Sequence, residues 1–192
     1  DPDPKIFVTP IAMAVRACDG GIFVWNNSNA GDEPNTSVPD GRLLTVDACT
    51  GLGTAVNAEL PPLGQLSALA FHPDGRLFGT DSRLVEIDPE TGEVTEIGII
   101  GLRIAGADFH PVTGVLYGAE LGGSKRFGTI NIETGAFTEI GTLEDAEGVI
   151  VGSIAFDPSG DTLFGTTIID PGGVLFEINI ETAEVSNSVP IS

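Results

Sequence analysis

One motif returns along this chain at a spacing that leaves little choice of architecture. SALAFHPDGRLFGTDSRLVEIDPETGEVTEIG runs from Ser67 to Gly98. IAGADFHPVTGVLYGAELGGSKRFGTINIETGAFTEIG follows from Ile104 to Gly141, and VGSIAFDPSGDTLFGTTIIDPGGVLFEINIETAEVSNSV from Val151 to Val189. The anchoring residues Phe71, Phe109 and Phe156 lie 38 and 47 residues apart (109 − 71 and 156 − 109). A self-similar unit of this length suits one blade of a propeller. A degenerate fourth copy stands at the front, where IAMAVRACDGGIFVWN and GRLLTVDACTGLGTAV match the two halves of the repeat around an insertion at 27–40.

Each copy reads as four short strands divided by turn signals, with no sustained helical period, so helices should be nearly absent. The first connection is HPDG, HPVTG or DPSG and the third is DPETG, NIETG or NIETA. In such turns proline presets φ, Asp or Asn caps through its side chain and glycine takes the left-handed residue. The expected fold is therefore all-β: a four-bladed β-propeller with four antiparallel strands per blade in a single domain, 1–192. The blades fall at 11–60, 66–100, 103–143 and 150–190. Residues 1–10 form an arm, in which Lys5, Ile6, Phe7, Val8 and Thr9 read as an extra N-terminal strand. Every blade already owns four strands, so this fifth apolar strand must cover an edge of its own propeller or add to a neighbour's sheet.

Cys18 falls in the first connection of blade 1 and Cys49 in its third, and antiparallel strands bring both turns to one face of the disc. A disulfide between them is expected, closing a 31-residue loop (49 − 18) and contributing about 3 to 4 kcal/mol on the chain-entropy account. Lys plus Arg number 8 against 28 Asp plus Glu, a formal charge of −20. Such a field repels nucleic acid and anionic lipid headgroups and attracts cations. No run of 18 apolar residues is present, so no helix is expected to span a bilayer. The opening DPDPKIFVTP reads as a mature, exported chain.

The pattern F-x-P-x-x-G-x-L-[YF]-G followed by L-x-x-I-[DN]-x-x-T-G-x-x-T-x-I-G resembles the propeller repeats of bacterial secreted and surface proteins of undefined function. It is loosely similar to NHL and YVTN-type repeats. The resemblance covers about residues 11 to 190 and implies a propeller in a secreted, extracellular setting that serves as a binding or structural module. It carries no active site with it.

The residues themselves point the same way. His72 and His110 both stand in F-H-P, where the other copies have Arg16 and Asp157. A position that varies in this way reads as a turn opener, and no zinc spacing or G-x-S-x-G occurs. The glycine-rich pieces at 51–53, 121–123 and 171–173 read as turns, since none precedes a helix. Asp47, Asp88, Asn131 and Asn179 read as caps of the third connection. The other acidic residues gather in loops: Asp32, Glu33, Glu120, Glu144, Asp145, Glu147 and Asp170. Asp32, Glu33, Glu144, Asp145, Glu147 and Asp170 form a candidate Ca2+ set, because calcium accepts six to eight oxygens without strict geometry. Solvated acidic loops are the alternative. Two N-x-S/T sequons occur, at Asn26 and Asn35.

No catalytic residue and no cofactor beyond Ca2+ is assigned, and the chain reads as a non-enzyme. The expected function is that of an extracellular structural or interaction protein that self-associates, into a filament or tube by N-terminal strand addition, with cations offsetting the charge. The alternative is a lectin-like or adhesin-like module for a glycan or surface protein.

Overall fold

The computed structural model describes residues 10–26, 41–56, 64–143, 151–167 and 173–191. The segment 5–9 lies outside them. Blade 1 is β1 (Pro10–Val15), β2 (Ile22–Asn26), β3 (Arg42–Val46) and β4 (Gly53–Ala55); blade 2 is β5 (Ala68–Phe71), β6 (Leu77–Thr80), β7 (Arg83–Ile87) and β8 (Val94–Ile99). Blade 3 is β9 (Ile104–Phe109), β10 (Leu116–Glu120), β11 (Arg126–Ile130) and β12 (Phe137–Thr142); blade 4 is β13 (Val151–Phe156), β14 (Leu163–Thr167), β15 (Val174–Ile178) and β16 (Val185–Pro190). Each blade is a four-stranded antiparallel sheet with its strands in sequence order. The fold is a four-bladed β-propeller, without an α-helix among the described residues.

The turn chemistry sets these boundaries. Asp88 Oδ1 accepts the N–H groups of Glu90 and Thr91 at 2.8 and 3.1 Å, and Asn131 and Asn179 repeat the arrangement in blades 3 and 4. In the first connection of blade 2, Gly75 takes φ of 97°, open to glycine at little cost.

Apolar residues from facing sheets meet in three clusters. Ala12, Ala14, Phe23, Trp25 and Leu43 of blade 1 pack on Leu69, Leu77, Val85 and Ile87 of blade 2. Ala68, Ala70, Phe78 and Leu84 of blade 2 pack on Ala107, Phe109, Leu116 and Ile130 of blade 3. Ala119 and Phe127 of blade 3 pack on Ile154, Leu163, Phe176 and Ile178 of blade 4. The inner strands follow suit, β1 against β5, β5 against β9 and β9 against β13. Among the described residues no comparable cluster joins blade 4 to blade 1.

Each junction uses the same two ring positions. An aromatic on the second strand meets the repeat phenylalanine on the next blade's first strand. The pairs are Phe23 with Phe71 and Phe78 with Phe109, each at 5.3 Å between centroids, and Tyr117 with Phe156 at 5.5 Å. The series breaks at both ends. Phe164 holds the second-strand position in blade 4 and has no ring partner among the described residues. Val15 stands in blade 1 where the other blades carry phenylalanine, and it is 54% exposed.

Candidate functional site

The four inner strands line an open cavity of about 830 Å3, to which Met13, Val15 and Ala155 also contribute. Alanine is the commonest residue of its wall, with Ala12, Ala14, Ala68, Ala70, Ala105 and Ala107 on the first strands, where small side chains let the blades approach. Few polar groups break it: Arg16, His72, Asp108, Ser153 and Asp157 are the chief ones.

Asp108 is the exception within the repeat, since the same position is Ala70 in blade 2 and Ala155 in blade 4. Its Oδ2 accepts the N–H of Phe156 from blade 4 at 2.8 Å, and Oδ1 accepts the N–H of Phe109 at 2.9 Å. Burial disfavours the carboxylate and outweighs those two bonds, so its pKa is raised above the ordinary value. Asp108 thus stitches two blades together at an electrostatic cost.

The histidines are more than turn openers. The His72 ring meets Phe109 of blade 3 edge-on at 5.0 Å, and His110 meets Phe156 of blade 4 at the same distance. A Cβ added to Gly114 would come 2.6 Å from His72 Nε2, and one added to Gly160 would come 2.6 Å from His110 Cε1. Each histidine therefore lies under the first turn of the following blade. The Nδ1 of His72 is 2.7 Å from Asp74 Oδ1 and 3.2 Å from the Asp74 nitrogen. Nδ1 thus faces both an acceptor, the Asp74 carboxylate, and a donor, the Asp74 N–H. Desolvation pushes the Asp74 carboxyl up, but the Arg76 N–H with the His72 and Arg76 side chains together outweigh it and hold its pKa down at about 2. His110 Nδ1 instead accepts from the N–H groups of Val112 and Thr113. Arg16, at the same position in blade 1, crosses to blade 2 through Glu90 at 2.8 Å. Sequence reasoning found the turn role of these residues and missed their bridging role. The periodic phenylalanine beside each was the available signal.

Neither histidine is hydrogen-bonded to a serine, threonine or cysteine side chain among the described residues. No three His, Cys, Asp or Glu side chains converge as a metal site there either. The proposed calcium residues Asp32, Glu33, Glu144, Asp145, Glu147 and Asp170 all lie outside the described residues. Glu120, another loop acid, is engaged by Arg126, whose Nε and Nη2 donate at 3.0 and 2.9 Å and lower its pKa. The Cys18–Cys49 bond expected from the repeat register is not formed in this structure: both are exposed free thiols, each in the connection that the register assigns to it. Asn26 of the first sequon is buried within β2 and offers no site for a glycan in the folded chain; Asn35 lies outside the described residues.

The largest departures from a closed ring are the two end faces. On blade 1, Met13 is 62% exposed, whereas the equivalent Leu69, Ala107 and Ile154 are buried, and Val15 is 54% exposed where Phe109 is buried and Phe71 and Phe156 are partly buried. Val24 and Leu44, further out on the same face, are already buried, so the open part is the strip beside the cavity. On blade 4, Leu175 is 38% exposed although the equivalent Leu43, Leu84 and Phe127 are buried, and Ala155 is exposed although Ala70 is buried.

No family model matches the chain, and no curated protein does. Solved structures do. An auxiliary nutrient binding protein from Bacteroides thetaiotaomicron is similar at 14% identity with a TM-score of 0.64, over 96% of this chain and 42% of that one. A protein of unknown function from the same organism is similar at 15% identity and 0.65, over 94% and 43%. An oligogalacturonate lyase in complex with manganese is similar at 18% identity and 0.52, over 93% and 53%. This chain spans about half, or less, of the length of these propellers. Identities this low speak for the fold alone, which is that of bacterial propeller proteins of nutrient-binding or undefined function.

Proposed function

We propose that this chain is a non-enzymatic, extracellular interaction module whose principal partner is another copy of itself. One observation carries the reading: the positions of Met13 and Leu175 are apolar and buried in the other three blades yet lie open at the two ends of the series, and Val15 and Ala155 beside them are exposed as well. Open apolar sheet faces on a monomer mark interaction sites. The absence of a nucleophile–base pair among the described residues supports a binding role, as does the kinship in fold with nutrient-binding propellers; the lyase neighbour is the counter-example. The extracellular setting rests on the resemblance to secreted repeats and on the same neighbours. Two surfaces could carry self-association, the end faces and the segment Lys5–Thr9 adding as a strand to a neighbour's sheet and so building a filament. Ca2+ held by the acidic loops would offset the charge of −20.

Sedimentation velocity over a concentration series, with and without EDTA, tests the reading. Assemblies that grow with concentration are expected, weaker in EDTA if calcium takes part. A monomer at every concentration would contradict it.

A second reading has its own observation, the cavity of about 830 Å3, large enough for a small ligand. A lectin-like or adhesin-like role predicts retention on a glycan array by the monomer, lost when the cavity wall is altered at Ser153.

A further inference from the structure

The two open faces are the two unlike halves of one interface. At the internal junctions the leading blade offers an aromatic on its second strand and a large apolar residue on its third, and in blades 1 and 2 an alanine on its first, where blade 3 has Asp108; in blade 2 these are Ala70, Phe78 and Leu84. Blade 4 offers Ala155, Phe164 and Leu175. The trailing blade offers residues equivalent to Ala107 and Phe109, and blade 1 offers Met13 and Val15.

We infer that blade 4 of one chain docks on blade 1 of a second copy, with Phe164 seated on Val15 and Met13, and that the reciprocal contact closes two chains into one eight-bladed ring. This rests on the self-association proposed above and names its surfaces and stoichiometry. Three features of the molecule select a second copy. The interface is already built three times within the chain, so its geometry is available. The strip Met13, Val15, Ala155, Phe164, Leu175 carries no charge, so two chains of −20 can meet there without placing like charges opposite one another. The four blades also match only 42% and 43% of two longer chains of similar fold, so a larger assembly of such blades is compatible with their packing.

The contact is confined to the cavity side. At the outer strand the leading blades carry Gly98 and Gly141, paired with Leu84 and Phe127, so that the next blade's third turn can close in. A Cβ on Gly98 would lie 2.1 Å from the Thr134 carbonyl oxygen. Blade 4 has Val189 at this place, paired with Leu175, and Ser188 where Ile97 and Ile140 pack in the others. The outer strands of the joining blades must therefore stand further apart than those inside a chain.

Sedimentation equilibrium on the 192-residue chain tests this with two variants, Val15→Glu and Leu175→Glu, both at exposed positions. Circular dichroism and thermal melting confirm that each folds. Wild type is expected as a two-chain particle, and each variant alone should weaken dimerisation at least tenfold. An equimolar mixture of the two should regain a heterodimer, because one of its junctions pairs two unaltered faces. Val15→Phe, restoring the ring found in the other blades, should tighten the dimer several-fold. Assembly that is indifferent to both charged variants would overturn the inference while leaving self-association standing on another surface, such as residues 5–9. Open-ended polymers would overturn the two-chain ring, and a wild-type monomer would overturn the inference and the reading beneath it.

Discussion

At the residue scale the molecule is held by substitutions that break its own repeat. Asp108 replaces an alanine and turns a wall contact into hydrogen bonds that reach blade 4. Because burial raises its pKa in the folded state, its contribution to stability is full below the ordinary carboxylate range and is lost as pH rises through the raised value. Asp108→Asn keeps an acceptor for the Phe156 N–H and removes the titration. The urea midpoint of the variant relative to wild type is therefore expected to rise as pH goes from 4 to 7. An equal change at every pH would show that the charge is not what matters there. This residue could have been noticed in the sequence as the odd member of its column, but its partner is a backbone N–H 48 residues away, and backbone partners leave no trace in a sequence.

At the scale of the element, sequence and structure agree closely. The strand segments RLFGT, VLYGA and TLFGT appear as β6, β10 and β14, since glycine, proline and Asx turns mark their ends and alternation marks their faces. What the sequence could not reveal was which blade each face meets, because that depends on how sheets stack rather than on local pattern. Gly98 illustrates the point: it reads as a simple strand end, yet it marks the closest approach of blade 3 to blade 2. Gly98→Ala should cost about 1 to 3 kcal/mol through overpacking against the Thr134 backbone, measured by chemical denaturation; an unchanged midpoint would mean that the two blades separate freely. Cys18 and Cys49 belong to this scale as well. Oxidised protein is expected to carry the Cys18–Cys49 bond and to gain about 3 kcal/mol over its reduced form. Two free thiols in folded, air-oxidised protein, counted by mass spectrometry under non-reducing conditions, would rule that bond out.

At the scale of the whole molecule, four blades were legible in the repeat, whereas the lack of a packed junction between blades 4 and 1 among the described residues was not. The repeat count says how many sheets there are; curvature follows from how closely each pair packs. The sequence-level expectation of self-association drew on the segment 5–9, while the structure adds two end faces with no counterpart in any motif. The charge bears on both. Two chains of −20 repel at long range, and the proposed contact is apolar, so raising NaCl from about 20 to 150 mM should tighten association as the Debye length shrinks toward roughly 8 Å. A contact built on ion pairs would weaken instead.

Whether blade 4 meets blade 1 of a different chain is decided by cross-linking Val15→Cys to Phe164→Cys in a chain whose native thiols are removed by Cys18→Ser and Cys49→Ser. A short bis-maleimide should convert the folded protein to a covalent dimer on a denaturing gel, in a reaction that weakens on dilution. A cross-linked monomer, formed at the same rate at every concentration, would show that the ring closes within one chain and that no second copy completes it.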